Sequence, residues 1–423
     1  MVQFLSGSWA LLLGMMLLMV GNGLQSTLLG IRGQIEGFGT WEMSIVMSAY
    51  FVGFLGGSRM APEMIRRVGH VRVFAALASF ISAVLILYPT FANPWVWTVG
   101  RIIIGFCFSG VYVTAESWLN NAATNETRGK ALSLYLIVQM IGVIVAQALL
   151  VTADPSGFVL FIIPSVLVSI SFAPILLSIS PTPAFEMTKA MTLRELVQKS
   201  PLGTVGMVLL GGVFSAQFGM SAVYGASIDL SVSEISIFVA AFYVGATVIQ
   251  YPLGWLSDRM DRRVLIAFAG FAGGVGAVIG MVYGANFWLL LFAATLVGGF
   301  SNPLYSLLIA HTNDFLEVDE MAAASGGMVF INGLGAISGP IVTGWIMEVF
   351  GPSGFFLVIA ILMLGLAGYA VFRMTRREGI AVEDTGAYSP VMPSASPVAL
   401  EVVQEIAIET ALEEEELASE SRD

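Results

Sequence analysis

The sequence predicts an all-α integral membrane protein in which twelve transmembrane helices form two parallel repeats of six, and three observations support this fold class. Of the 423 residues, 57% are hydrophobic and only 11% are charged, with a mean hydropathy of +0.86. An ordinary soluble domain carries about 25% charged residues. The chain also contains a series of apolar windows long enough to cross a bilayer, and its two halves repeat one another.

The apolar windows supply the predicted helices, because a helix needs about 20 apolar residues to cross the hydrocarbon core and irregular backbone cannot face lipid. The first window precedes Arg32, the first charged residue, and lacks the basic stretch of a cleaved signal peptide, so we expect it to remain as a span. In order, the windows are 9–30, 42–61, 73–92, 95–119, 131–152, 158–179, 202–228, 234–256, 264–284, 287–311, 323–350 and 353–373.

The basic residues predict the orientation of these helices. If both termini are cytoplasmic, Arg32 and Arg101 are the only two of the 18 Lys and Arg residues that fall outside the inner loops and inner helix ends. The opposite orientation would place nearly all of the basic residues on the translocated side, against the positive-inside bias. We therefore expect a multi-pass protein of the cytoplasmic (inner) membrane of a bacterium.

The internal repeat divides the chain. An offset of 192 residues places Gln25 on Gln217 and Gly53 on Gly245. The sequence predicts a first six-helix bundle at 1–179, a cytoplasmic linker at 180–200, a second bundle at 201–377 and an acidic, disordered cytoplasmic tail at 378–423. Two parallel repeats around a cavity at the middle of the bilayer are the design of an alternating-access carrier.

Several kinds of site have no counterpart in the sequence. The single cysteine, Cys107, allows no disulfide within the chain, and the two histidines, His70 and His311, do not have the spacing of a metal site. Phosphate-binding loops and nucleophile motifs are absent, so we expect neither an enzyme nor a cofactor or metal. The expected partners are a small-molecule substrate, protons and the lipid bilayer, with no nucleic acid, and the protein is expected to be a monomer.

Several stretches resemble a known family. Residues 254–263, Gly-Trp-Leu-Ser-Asp-Arg-Met-Asp-Arg-Arg, resemble the G-x-L-a-D-R-x-G-R-R loop motif of the major facilitator superfamily, and residues 62–72 resemble a degenerate copy of it. Residues 101–105, Arg-Ile-Ile-Ile-Gly, resemble the family's R-x-x-x-G motif in helix 4. The stretches 114–120, 125–129 and 310–314 are similar to the YcaD-like branch. The resemblance covers the whole chain and implies the fold of a secondary transporter.

The resemblance also implies a gate on the cytoplasmic side, where a loop carboxylate pairs with an arginine and a helix N-terminus. Asp258 holds that position in the second half, although Asp261 replaces the motif's central glycine there. In the first half Arg66 replaces the carboxylate. The alternative is that these charges serve topology and solubility alone. The predicted gating residues are Arg66, Arg67, Glu116, Arg128, Asp258, Arg259 and Arg262, with Glu116 expected to pair with Arg67 or Arg128.

Arg101 is the most informative single charge. It lies about six residues into helix 4, or roughly 9 Å at 1.5 Å per residue. A guanidinium at that depth is costly unless it faces a cavity or a partner, which favours contact with an anionic substrate or a protonatable group. The alternative is that the side chain extends to the outer interface. Its repeat position holds Ala294, so the charge has no equivalent in the second half.

Polar side chains within the spans predict the substrate site. Amides and phenols outnumber carboxylates, which favours a neutral or weakly anionic polar solute held by hydrogen bonds and stacking. For any one amide the alternative is a hydrogen bond between helices, worth about 0.6 kcal/mol. The predicted substrate-binding residues are Gln25, Arg101, Gln139, Gln217, Tyr224, Gln250, Asn302 and Asn332.

The predicted function is secondary active transport of a small organic solute by alternating access, coupled to protons. Gly335, Gly339 and Pro340 resemble a G-x-x-x-G-P helix-packing element in helix 11, whereas helix 5, where drug antiporters of the superfamily carry it, has Gly142 and Ala146 instead. This difference favours uptake of a nutrient or a planar vitamin such as riboflavin. The alternatives are efflux of metabolites or drugs by proton antiport, and a membrane sensor or assembly factor that transports nothing.

Overall fold

A computed structural model of the chain describes residues 2–122, 125–177, 191–377, 379–381, 385–386 and 388–400, without the side chains of 2–8, 121–122, 125–129, 318–319 and 322. The long helices are α1 (Val2–Ile35), α2 (Thr40–Val68), α3 (His70–Thr90), α4 (Pro94–Ala122), α5 (Asn125–Leu150), α6 (Val159–Ser171, continued by Ala173–Leu177), α7 (Pro201–Ser215, continued through a π-helical turn, Ala216–Met220, into Ser221–Ser227), α8 (Val232–Ser257), α9 (Arg262–Tyr283), α10 (Phe287–Asn313), α11 (Val318–Phe350) and α12 (Gly354–Met374). A short linker helix, Leu193–Lys199, precedes α7.

Eleven helices in the described part of the chain are long and apolar enough to cross a membrane. The helix that does not meet this measure is α2, which has 29 residues but carries charged side chains at both of its ends. It nevertheless packs along α4 and α11 in the middle of the bundle. The predicted fold class, an all-α membrane protein built from two six-helix repeats, is confirmed.

The repeat offset in the sequence corresponds to matched helix contacts. α2 crosses α4 where Gly53 lies so close that an added Cβ would come within 1.9 Å of the Ile102 carbonyl oxygen. α8 crosses α10 in the same way at Gly245, where the distance to the Thr295 carbonyl oxygen would be 2.0 Å. The pair α1 and α5 likewise recurs as α7 and α11. Small residues at these crossings allow the backbones to approach closely.

Gly53→Ala is expected to destabilise the protein by about 1–3 kcal/mol, because the new methyl group would overlap backbone atoms that cannot rotate away. Gly365→Ala is the matched control, since nothing lies within 4 Å of a Cβ built at that position. Thermal unfolding in detergent would measure both. Equal melting temperatures for the two variants would contradict this account of the crossing.

Successive loops alternate between two ends of the bundle. We call one the basic end, where Arg377 donates to the Lys199 carbonyl oxygen (3.0 Å) and Arg263 donates to the Arg377 carbonyl oxygen (2.6 Å). At the opposite end the two halves touch: Ser48 Oγ donates to the Ile337 carbonyl oxygen. Ser236 Oγ donates to the Gln147 carbonyl oxygen, and both bonds measure 2.5 Å. The halves are therefore closed against each other at the opposite end.

At the basic end, residues 388–400 lie between the two halves. Val391, Met392, Ala395, Ala399 and Leu400 are buried there. For these residues the structure differs from the expected disordered tail. The physical reason is that the stretch is apolar and precedes the acidic run, which begins at residue 401 and lies outside the described residues, as does most of the predicted linker.

Candidate functional site

A central cavity lies between the two halves at mid-depth. Its walls come from α1, α2, α4 and α5 on one side and from α7, α8 and α11 on the other, and residues 392–394 line it as well. Its lining includes Asn22, Ser26, Tyr50, Phe54, Arg101, Tyr112, Gln139, Phe214, Phe218, Tyr243 and Asn332. This cavity is the candidate substrate site.

Arg101 is fully buried, with 2% of its surface exposed, and it faces this cavity. It donates to Gln25 Oε1 (3.0 Å) and to Ser26 Oγ (3.5 Å), and its guanidinium carbon lies 4.7 Å from the centre of the Tyr50 ring. Its Nε has no hydrogen-bond partner among the described residues. No described carboxylate forms an ion pair with it, so an amide, a hydroxyl and an aromatic face stabilise the charge.

A chain of polar contacts extends from Arg101 along the wall of the first half. Gln25 Nε2 donates to Asn22 Oδ1 (3.1 Å), and Asn22 Nδ2 donates to the Tyr112 hydroxyl (3.3 Å). Gln25, a predicted substrate-binding residue, is not part of the cavity wall, and its contact with Arg101 orients the guanidinium instead. The first half therefore presents a fixed cation beside amide and phenol groups.

The wall of the second half is aromatic. The rings of Phe214 and Phe218 lie 6.1 Å apart at 30°, and Phe218 lies 5.5 Å from Tyr243. Asn332 is the amide on this side, and it donates to the Met207 carbonyl oxygen (3.2 Å). The cavity can thus accept a polar or anionic group on one side and a flat apolar surface on the other.

Three of the predicted site residues, Arg101, Gln139 and Asn332, line the central cavity. Gln217 does not: it bonds to Ser301 Oγ (3.0 Å) inside the second half. Gln25 is also outside the cavity wall, and the two amides differ in their partners. Gln25 bonds to Arg101, whereas α10 has Ala294 at the equivalent position and Ser301 bonds to Gln217 instead.

The other predicted positions lie elsewhere. Tyr224 stacks on Phe355 at 4.9 Å, near the opposite end of the second half. Gln250 and Asn302 line a separate lateral cavity beside residues 390–392. The positions of these side chains depend on contacts with other helices of the same half and with residues 390–392. The helical periodicity of a single span does not predict such contacts.

Sequence reasoning missed Tyr50 and Ser26. A signal for Tyr50 does exist, because Tyr50 and Gly53 lie three residues apart on one face of α2, while Arg101 and Gly105 lie four apart on one face of α4. A Cβ built on Gly105 would come within 1.9 Å of the Tyr50 carbonyl oxygen. The crossing of these two helices therefore places the Tyr50 ring beside the guanidinium.

In the first half, the predicted pair of Glu116 with Arg67 does not form. Arg66 and Arg67 both bind Glu63, at 2.8 and 2.7 Å, on an exposed helix end. Glu116 is instead buried inside α4, where it accepts from the Tyr135 hydroxyl (3.2 Å) and from the Ser396 N–H (3.0 Å). Arg67 reaches Glu63 one helical turn away, and the side chain of Arg128 lies outside the described residues.

The charged residues of the second-half loop form their described ion pairs within the second half and not with the first half. Arg262 and Asp314 form an ion pair at 2.5 Å, with only 2% and 4% of their side chains exposed. Burial raises the pKa of the Asp314 carboxyl, an effect that the Arg262 charge opposes. Asp258 lies 4.0 Å from Arg262 and accepts from the Tyr388 N–H (2.9 Å), while Arg259 packs over the Trp255 ring.

The predicted helix-packing element lies where α11 meets α7. A Cβ on Gly335 would come within 2.0 Å of the Val208 carbonyl oxygen, and one on Gly339 within 2.0 Å of Ser215 Oγ. Pro340 follows inside the same helix. These glycines therefore allow the close contact that the resemblance implies.

Comparison with known proteins agrees with this geometry. The Major Facilitator Superfamily model matches residues 202–403, and the model for sugar (and other) transporters matches residues 13–195. The uncharacterized MFS-type transporter YcaD of Escherichia fergusonii is 23% identical over 354 residues, covering 83% of this chain and 91% of that protein. YcaD of Escherichia coli O7:K1 is 26% identical over 358 residues, with the same coverage of both chains.

Solved structures share the fold. The crystal structure of the nucleoside transporter NupG superposes with a TM-score of 0.68 at 15% identity, covering 87% of this chain and 97% of that one. A bacterial homolog of the human lysosomal transporter Spinster, in an inward-facing and unoccupied conformation, gives 0.67 at 13% identity, covering 95% and 97%. Transporter models thus match both halves and YcaD-type relatives match most of the length, so this chain belongs to the major facilitator superfamily and is a multi-pass membrane transporter similar to YcaD.

Proposed function

We propose that this transporter moves a small, planar organic solute with an anionic or strongly polar group by alternating access. The observation that carries the proposal is Arg101, a buried charge that faces the central cavity and has no carboxylate partner among the described residues. An unpaired charge at this depth is costly, and a solute anion would neutralise it at the moment of binding. The protein would act as a monomer in the bilayer without a cofactor.

The aromatic wall narrows the proposed substrate class. Phe214, Phe218 and Tyr243 offer faces and edges to a flat ring, while Asn22 and Gln139 offer amide groups. A planar vitamin such as riboflavin belongs to this class. A nucleoside also has a flat polar ring, and the structural neighbour NupG is named a nucleoside transporter.

We also propose that the basic end is cytoplasmic and that the direction is uptake. The basic loops support this orientation through the positive-inside bias. Contacts between the halves at the opposite end, such as Ser48 with Ile337, support a state in which the halves are closed on the outer side and held apart on the cytoplasmic side. Helix α5 lacks the G-x-x-x-G-P element, which favours uptake over drug efflux.

Glu116 is our candidate for proton coupling, because it is the one buried carboxylate among the described spanning helices. Glu116→Gln is expected to remove the dependence of uptake on an imposed pH gradient while leaving solute-induced thermal stabilisation in place. Glu63→Gln, at the exposed end of α2, is the matched control and should retain the gradient dependence. If Glu116→Gln still responds to the gradient as the unmodified protein does, the carboxyl does not couple transport to protons.

The experiment that tests the proposed substrate class is a thermal-shift screen of purified protein against vitamins including riboflavin, nucleosides, amino acids and sugars. A stabilisation that grows with ligand concentration, as mass action requires, would identify a solute. Counterflow in proteoliposomes, with external reagents reporting orientation, would then separate uptake from efflux. Binding without any flux would favour the sensor, and a screen in which only non-planar sugars bind would contradict the proposed class.

A further inference from the structure

We propose that residues 388–400, which we call the strap, are an intramolecular inhibitory ligand of the space between the two halves at the basic end. The proposal rests on the proposed transport function. With the strap bound, the central cavity is closed toward the basic end and the two halves cannot meet there. Transport would require the strap to withdraw.

The strap is bound first by the second half. Tyr388 donates its N–H to Asp258 Oδ1 (2.9 Å), and its hydroxyl accepts from Gln250 Nε2 (2.8 Å). Val391 donates its N–H to Ser306 Oγ (2.9 Å), which donates back to the Val391 carbonyl oxygen (3.2 Å). These bonds hold the start of the strap, residues 388–391, which precede its turn at 393–394 and its helical end at 397–400.

The strap also reaches the first half. Ser396 donates its N–H to Glu116 Oε2 at 3.0 Å, and both residues are buried. One segment of 13 residues therefore bridges α8 and α10 of one half and α4 of the other. Because packed side chains exclude one another, α4 and α10 cannot approach while the strap lies between them. It acts as a wedge that holds the basic end apart.

The strap also closes the route from the substrate site. Met392, Pro393 and Ser394 are part of the wall of the central cavity that contains Arg101. A solute cannot pass from that cavity to the basic end without displacing these residues. The same segment thus blocks the exit and prevents the closure of the basic end that the next step of the cycle needs.

The surrounding residues are shaped to receive this segment. Gly254, the first glycine of the loop motif, leaves the space that the Tyr388 ring fills, since an added Cβ would come within 2.7 Å of Tyr388 Cε1. Pro390, Pro393 and Pro397 restrict the backbone of the free segment, which reduces the entropy lost on binding. The segment is therefore pre-organised, whereas its few polar contacts leave it able to detach.

Cysteine labelling tests the strap without any solute. Val329→Cys places a thiol in the wall of the central cavity, in a Cys107→Ala background that removes the native thiol. We expect a bulky maleimide to label purified full-length protein slowly, and to label a variant ending at Arg377 roughly tenfold faster or more, because the covering segment is gone. Arg194→Cys on the exposed linker helix is the reference thiol and should label equally in both.

A second variant leaves the chain complete. Gly254→Val, which would expel the Tyr388 ring, is also expected to accelerate labelling at Val329→Cys, whereas Gly365→Val, which fills open space, is not. If full-length, truncated and Gly254→Val proteins label at the same rate, the strap does not cover the cavity and the proposal is overturned. If the truncated chain fails to insert, the Gly254→Val comparison alone decides.

A disulfide staple tests whether the strap must withdraw. Ser306→Cys with Val391→Cys, again in the Cys107→Ala background, should arrest solute flux when oxidised and recover it on reduction. Flux that is unaffected by the oxidised staple would mean that the strap is a permanent part of the bundle. The labelling result stands even if no solute is ever found to move, so failure of the strap and failure of the transport proposal are distinguishable.

Discussion

Arg101→Ala is expected to abolish transport while the protein still reaches the membrane. Hydrogen bonds to charged groups contribute about 1.5–3 kcal/mol each, so solute binding should weaken by roughly 10- to 100-fold. Arg101→Lys retains the charge but lacks the planar guanidinium with its fixed hydrogen-bond donors. It should therefore recover only part of the affinity for the solute. Solute-induced thermal shift and uptake into proteoliposomes would measure both variants.

The stability of Arg101→Ala separates a substrate contact from a structural one. The variant leaves the buried Gln25 amide oxygen without its donor but no described carboxylate without an ion-pair partner, so the melting temperature without solute should fall only modestly. Arg259→Ala, which removes an arginine over the exposed Trp255 ring, is the control for a general charge effect. Unchanged uptake kinetics in Arg101→Ala would show that Arg101 does not bind the substrate.

Arg262→Ala, in contrast to Arg101→Ala, is expected to cause a large loss of stability. It leaves the Asp314 carboxylate buried without its partner, which costs about 3–5 kcal/mol when one member of a buried ion pair is removed. Thermal unfolding in detergent would show this as a strongly lowered midpoint. Arg259→Ala, three residues earlier in the same loop and exposed, should unfold close to the unmodified protein.

A double variant tests the cause of that loss. Arg262→Met combined with Asp314→Leu removes both charges and fills the space with apolar atoms, so it should recover much of the stability lost in Arg262→Ala. A double variant as unstable as the single one would show that the ion pair is not the reason. In that case the other contacts of Arg262, with the Ala310 carbonyl oxygen (3.3 Å), Ser257 Oγ (3.2 Å) and the Gly386 carbonyl oxygen, become the remaining explanations.

Much of the fold could be predicted because its causes are local in the sequence. Apolar length identifies the spans other than α2, and the offset between Gly53 and Gly245 corresponds to the same helix crossing in both halves. The exposure of Arg101 to a cavity could be predicted because a charge deep in an apolar helix is costly unless it faces a cavity or a partner. The positions of Gln217 and Tyr224 could not, because the direction of each side chain depends on a partner from another helix, Ser301 for one and Phe355 for the other.

The position of the strap could not be predicted from the sequence for a different reason. Its prolines and serines are typical of a linker, and its apolar residues are too few and too irregular to form a helix that hydropathy would detect. Its stability comes from the groove it occupies, which exists only once both halves are assembled. Glu116 was expected to pair with Arg67 or Arg128, yet it lies buried and accepts a hydrogen bond from the Ser396 N–H of the strap.

The contacts that close the opposite end are hydroxyl-to-carbonyl bonds, Ser48 to Ile337 and Ser236 to Gln147. Neutral hydrogen bonds are not screened by dissolved salt, whereas exposed charges are. At the basic end, by contrast, the ion pair of Glu63 with Arg66 faces water. Dissolved salt should therefore weaken this pair while leaving the two hydroxyl-to-carbonyl contacts between the halves intact.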